Sequence, residues 1–255
     1  MNILISNDDG INSKALKTLV KELSDLGTIY VVAPDSERSA NSHHFTISGR
    51  MRIEEKELEG AKKAYALWGT PSDCIHCGLQ FIIKEKIDLV VSGINKGWNT
   101  TCDAVYSGTV AAAREGFIMG VKSIALSLNN FEDRDYTEAA KIAKKVVIKY
   151  LDDQNSSEYF LNVNIPDVPS GEIKGVKVCD KIGKIGYNEN YSYEEEFGVT
   201  YVKIGKTELS LDYDHNDLNI DNVAVDNGYI TVVPLFNDQI NHKYIDYIRD
   251  VWEEI

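Results

Sequence analysis

The sequence predicts an α/β fold in three layers: a mostly parallel sheet, helices on both faces, and an elaborated β-rich C-terminal extension ending in a helix. Three observations predict it. Short apolar runs of strand length alternate with amphipathic helical stretches through the first two thirds of the chain. The apolar runs are nearly continuous, as in strands buried on both faces. No repeat, low-complexity tract or Pro/Ser-rich linker interrupts the 255 residues, so one unit over 1–255 is expected.

Residues 2–6 read as a buried strand. Ser13 caps a helix in which Leu16, Leu19, Val20, Leu23 and Leu26 recur at helical spacing, with Gly27 as its stop. Residues 28–33 form a second strand, ended by Pro34, and residues 64–68 a short third. Pro71 opens a helix running to about residue 84. Residues 88–92 are an apolar strand ended by Gly93; a helix over 108–116 and a strand over 123–128 follow. Residues 136–150 form a helix with Ala139, Ile142, Ala143, Val146 and Val147 on one face, and residues 160–165 a strand stopped by Pro166. From about Gly171 the pattern turns to polar, Tyr-rich strands punctuated by Gly. Residues 223–235 read as a further strand-rich element and 238–252 as a terminal helix. The core is expected within 1–170 and the extension within 171–255, with the polar stretch 180–219 packing on another subunit.

Hydrophobic residues are 43% and charged residues 26%, enough apolar material for a sizeable core. No run approaches the roughly 20 apolar residues of a membrane helix, so no membrane partner is expected. MNILISNDDG lacks the basic and long apolar regions of a secretory leader. With 27 Lys+Arg against 40 Asp+Glu the formal charge is −13, which disfavours binding duplex nucleic acid through a basic face. A small anion can bind only where a metal or helix N-termini reverse the sign locally. Four cysteines, Cys74, Cys77, Cys102 and Cys179, point to a reducing cytoplasm. Cys74-Ile75-His76-Cys77 has redox or metal spacing, but no second half of a zinc site follows, and packing on a helix is the favoured reading.

In an open parallel sheet ligands bind beyond the carboxyl ends of the strands. After the first strand comes Asn7-Asp8-Asp9-Gly10. Adjacent carboxylates repel unless a cation sits beside them, and Gly10 permits the tight turn that brings both acids to one point. A solvated loop with a helix cap is the alternative. The loop after the second strand carries Ser39, and the strand ending at Ser92 is followed by Asn95. Two carboxylates with hydroxyl and amide oxygens form a hard-oxygen set suited to Mg²⁺ or Mn²⁺ and ill suited to zinc. Ser107, Gly108 and Thr109 open a helix, where free N–H groups and hydroxyls make an anion site; an ordinary Ser107 N-cap is the competing reading. A cation facing a helix tip is what a phosphomonoester needs. His43 and His44 share the Ser39 loop, where a histidine could protonate a leaving alkoxide, although a surface pair is equally open. His76 belongs with Cys77 on its helix, and His215 and His242 carry no signal. There is no G-x-G-x-x-G after a strand, no P-loop and no G-x-S-x-G elbow.

Together, ILISNDDG (3–10), APDSERSA (33–40), WGTPSDC (68–74), SGINKG (92–97), YSGTVAAAREG (106–116), LNVNIP (161–166) and NGYITVVPL (227–235) resemble the SurE (survival protein E) family of nucleotidases, in the family's order and over nearly the whole chain. The resemblance implies a Rossmann-like sheet, one divalent cation per subunit, and phosphatase action on nucleoside monophosphates. It places metal ligands at Asp8, Asp9, Ser39 and Asn95. It also implies a homodimer or homotetramer with exchanged C-terminal elements, and in some members action on 3′-nucleotides or short polyphosphate. The chain departs from the family after NDDG, at Asn12-Ser13-Lys14, and after SGIN, where Trp98 to Asp103 replaces a Gly-rich acidic stretch; the latter bears on which nucleotide fits.

The expected reaction is hydrolysis of a nucleoside monophosphate. A metal held by Asp8, Asp9, Ser39 and Asn95 serves it, Asp8 or Asp9 orients the attacking water, and Asn95 with the 107–109 helix tip binds the phosphate. An aspartyl-phosphate route would want D-x-D spacing, whereas these acids are adjacent. Two rivals remain: a phosphate-sensing module and a nucleotide-binding protein that does not cleave.

Overall fold

The computed structural model describes residues 1–132, 134–183, 185–211 and 213–252. Six apolar runs form parallel strands: β1 (Asn2–Ser6), β2 (Thr28–Pro34), β4 (Lys63–Leu67), β5 (Leu89–Lys96), β6 (Lys122–Leu128) and β7 (Phe160–Ile165). They lie in a nine-stranded sheet of order β3-β4-β2-β1-β5-β6-β7-β11-β8. At one edge β3 (Ile53–Lys56) runs antiparallel to β4. At the other, β11 (Ile230–Leu235) runs antiparallel to β7, and β8 (Val176–Val178) parallels β11.

Alternation along each strand sends side chains to two layers. On one face α1 (Lys14–Leu23) and α5 (Thr137–Asp152) cover Ile3, Ile5, Val31, Val91, Leu126 and Val163 with Leu16, Leu19, Leu23, Ala143 and Val147. On the other, α2 (Pro71–Cys77) and α4 (Gly108–Ile118) cover Leu4, Tyr30, Val32, Val90 and Ala125 with Cys74, Ile75, Ala112 and Ala113. Cys74 is fully buried in this layer and Cys77 packs against it; both are free thiols, as the packing reading expects. Burial pushes the Cys74 thiol well up.

Four elements differ from the sequence expectation. The helix expected over 71–84 is α2 followed by a wider π-helical turn, Gly78–Ile82, closed by Ile83 N–H to Gly78 O (3.0 Å). β3 has too polar a sequence to read as a strand; it is an edge strand, exposed except for Glu54. The start of 223–235 is the end of a helix, α6 (Asp221–Asp226), and only Ile230–Leu235 is strand: a short, almost wholly buried run does not reveal its period. The terminal helix is shorter than expected, α7 (Ile245–Trp252). Residue 170 is not a boundary of the sheet, because β11 inserts between β7 and β8. What does extend from the sheet is a hairpin of β9 (Ile185–Glu196) and β10 (Val199–Leu211), which among the described residues pair only with each other. A further short helix, α3 (Asp103–Tyr106), precedes α4.

Candidate functional site

The chain winds from β1 through β2 to β4, then returns to β5, β6 and β7 on the other side of β1. The direction reverses between β1 and β5, and such a switch point opens a crevice beyond the strand ends. Asp8, Asp9, Ser39, Asn95 and Ser107 all line one cleft there, of about 180 Å³. The sheet thus brings together residues that the sequence places in four separate segments.

Each carboxylate is held. Asn7 closes the turn after β1: its Nδ2 donates to Gly10 O and its Oδ1 accepts from Gly10 N–H, both at 3.1 Å. Thr109 Oγ1 donates to Asp8 Oδ1 (2.7 Å), and Thr109 N–H donates to Asp8 Oδ2 (3.2 Å). Gly108 admits this approach, since an added Cβ would lie 3.1 Å from Asp8 Cβ. Asp9 Oδ2 accepts from Lys96 N–H at 3.2 Å. Burial raises the Asp8 carboxyl against the lowering hydrogen bonds of Thr109. Burial, and next the negative charge of Asp8, push Asp9 up from 3.8 to about 7. Both shifts come first from burial; for Asp9 the neighbouring Asp8 charge adds to it, and for Asp8 that of Glu37.

Asn95 sits just past a bulge in β5, between Ser92 and Asn95 in the pairing with β6. Its Nδ2 donates to Gly97 O (2.9 Å), leaving Oδ1 as the acceptor for the cleft. The Ser39 loop is tied to the site by Arg38 N–H to Asp8 O (2.7 Å) and Ser42 N–H to Tyr106 O (2.8 Å). Two carboxylates, a hydroxyl and an amide oxygen therefore share one cavity, and as hard donors they fit Mg²⁺ or Mn²⁺. Among the described residues no group of three or more His, Cys, Asp or Glu gathers to hold a metal, so a site here draws half its donors from neutral oxygens.

The helix tip differs in detail from the expectation. Ser107 Oγ accepts from Val110 N–H (3.0 Å), so Ser107 is an N-cap as well as a cleft residue. Its own N–H goes to Asp103 O (2.9 Å) and that of Thr109 to Asp8; Gly108 and Thr109 are buried behind the cleft and do not line it. Thr109 thus clamps Asp8. His43 is not among the cleft-lining residues. Its Nε2 pairs with Glu115 Oε2 (2.8 Å), whose other oxygen meets His76 Nδ1 (2.8 Å). Burial would raise the Glu115 carboxyl, but the bonds from His43 and His76 outweigh it and hold the group low.

Trp98, Asn99 and Asp103, from the stretch expected to bear on nucleotide fit, also line the cleft; sequence reasoning missed Glu37, Ala40, Lys96, Tyr106 and Phe131. One signal was available: Asn162 and Asn164 are polar at alternate positions of the otherwise apolar β7. Asn164 Oδ1 accepts from Asn99 N–H and Asn162 Nδ2 donates to Asn99 O, both at 2.7 Å. Asp221 Oδ2 accepts from Thr101 N–H at 2.8 Å. The cleft wall over 97–103 is therefore fixed from behind by β7 and α6.

Residues 3–188 match the family model described as Survival protein SurE. The chain is 40% identical over 261 residues to the 5′-nucleotidase SurE of Clostridium botulinum strain Alaska E43, covering 99% of this chain and 100% of that one. It is 41% identical over 260 residues to the 5′-nucleotidase SurE of Clostridium beijerinckii, with 100% of both covered. The crystal structure of the SurE protein from Aquifex aeolicus superposes with a TM-score of 0.82 at 35% identity, over 98% of this chain and 99% of that one.

Proposed function

Because the chain belongs to the SurE family, we propose that it is a 5′-nucleotidase, hydrolysing nucleoside 5′-monophosphates to nucleoside and phosphate with the help of one divalent cation. The observation that carries this reading is the pair of buried Asp8 and half-buried Asp9 at the switch point, sharing a cleft with Ser39, Asn95 and the start of α4. Relatives of full-length similarity carry the same name, 5′-nucleotidase SurE.

The cleft lining counts Asp8, Asp9, Glu37 and Asp103 against Lys96. A phosphate dianion would be repelled from such a wall without a compensating cation. Mg²⁺ or Mn²⁺ bound by Asp8, Asp9, Ser39 and Asn95 would supply that charge and Lewis acidity toward the phosphoryl group. The chain's own residues do the rest. Thr109 and the Lys96 N–H fix the two carboxylates, so little reorganisation is needed when substrate arrives. An oxygen of Asp8 or Asp9 orients the water for in-line attack. The dipole at the start of α4 and Asn95 hold equatorial oxygens of the phosphate. His43, turned to Glu115, acts by holding the Ser39 loop against α4 rather than at the leaving oxygen.

The test is phosphate release from AMP with Mn²⁺, with Mg²⁺ and with EDTA; turnover undiminished by EDTA rejects the metal site. A panel of 3′-monophosphates and short polyphosphate decides the wider range that the family resemblance implies. A homodimer or homotetramer with exchanged C-terminal elements fits the β9–β10 hairpin, whose Tyr191, Tyr193, Phe197 and Val202 are exposed. A lone hairpin is marginal in water, and a second copy would cover it; light scattering reads the subunit number.

A further inference from the structure

Ser39 is presented by a loop, residues 35–52, that carries no helix or strand between β2 and β3. Two residues beside it, Ala40 and Ser42, hold left-handed backbone conformations with φ of 53° and 52°. Neither is a glycine, so at both positions the Cβ opposes the turn. Such strain persists only where the surroundings over-determine the conformation.

The surroundings here are α2 and α4. Beyond the turn Ser42 Oγ donates to Val105 O (2.8 Å). Thr70 Oγ1 donates to His44 O (2.6 Å). Asp73, fully buried in α2, accepts from Thr46 N–H (2.8 Å) and Thr46 Oγ1 (2.9 Å). Between these ties His43 reaches across to α4, where Glu115 takes its Nε2 on one oxygen and the Nδ1 of His76, from α2, on the other. The His76 ring also seats Phe45 of the same loop, with centroids 4.7 Å apart. Glu115 is only 7% exposed, so its charge is little screened and the two bonds are of the stronger, charge-assisted kind.

We propose that His43 is a positioning residue for the cation: bridged to Glu115, it holds the strained turn closed, keeps Ser39 at the cleft and so sets how tightly the site binds its metal. This rests on the metal-dependent nucleotidase reading and deepens it. His76 acts at one remove, by fixing the carboxylate to which His43 is bound.

The experiment titrates Mn²⁺ by calorimetry into the unmodified protein, His43→Leu, His43→Gln, and His43→Leu combined with Ala40→Gly. Hydrogen exchange of the metal-free proteins is followed over residues 38–46 and in β1. Leucine removes the donor, glutamine keeps an N–H for the carboxylate, and glycine adopts a left-handed φ without strain. His43→Leu should raise the Kd for Mn²⁺ about tenfold, the scale of one hydrogen bond to a charged group. Exchange over 38–46 should quicken while β1 keeps its protection. His43→Gln should stay within roughly threefold of the unmodified protein, and Ala40→Gly should recover part of the loss caused by His43→Leu. An unchanged Kd in His43→Leu overturns the proposal. So does a loss as large in His43→Gln, or exchange that quickens as much in β1 as in the loop. If the unmodified protein binds no Mn²⁺, the metal-site reading falls instead. The hold on the turn is then judged by exchange alone, and equal protection of 38–46 in the unmodified protein and His43→Leu overturns it.

Discussion

The confinement of two adjacent carboxylates makes a quantitative prediction about stability. Asp9 is raised from 3.8 to about 7, first by burial and then by Asp8. A carboxyl whose pKa is higher in the folded chain stabilises the fold fully below its unfolded value, and that stabilisation is lost as pH rises through the folded value. The window here runs from about 4 to about 7. At about 1.4 kcal/mol per pH unit, the metal-free fold should lose about 2 kcal/mol on this account between pH 5.5 and pH 8. For a chain of this size that is about 4–8 °C in Tm. Asp9→Asn removes the charge but keeps an oxygen for the Lys96 N–H. The assay is thermal unfolding of both proteins in EDTA at the two pH values, then at pH 8 with Mn²⁺. Relative to Asp9→Asn, the unmodified protein should weaken from pH 5.5 to 8 in EDTA, and Mn²⁺ should restore it while barely moving the variant. Parallel pH responses of the two proteins, or equal stabilisation of both by Mn²⁺, would refute the idea that the site is strained by charge and relieved by a cation.

Other outcomes follow from single contacts. Asp8→Asn should cost on the order of 10²-fold or more in kcat, read by phosphate release at saturating Mn²⁺. Thr109→Val keeps the shape but removes the Oγ1 bond to Asp8; it should lower kcat about tenfold with less effect on KM. Glu115→Ala strands His43 and His76, and should destabilise by about 2–3 kcal/mol in urea unfolding at pH 7. Because the Glu115 carboxyl is held low, that contribution is present above its unfolded value and fades as pH falls through the folded one, so the two proteins should converge in acid. Cys74, fully buried with its thiol pushed well up, should react with a thiol reagent only on unfolding, as mass spectrometry of native and denatured samples would show.

What the sequence determined by itself was the layered plan and most of the residues that meet beyond the strand ends. Continuous apolar runs between amphipathic helices specify a buried parallel sheet, because each run must hide both faces. Adjacent acids at the end of the first strand, with an amide and a hydroxyl at the ends of its neighbours, must meet in one crevice once the strands are parallel. Tertiary structure alone decided which groups remain available. Ser107 and Thr109 look alike as hydroxyls at a helix start, yet one caps the helix and the other clamps an aspartate 101 residues away. His43 reads as a proton donor from its loop, yet a glutamate 72 residues on takes its Nε2. The seat of Phe131 on Gly97 and Trp98 has no local signature either. Periodicity is a property of neighbours along the chain, whereas hydrogen-bond partners at such separations are chosen by sheet order and helix packing.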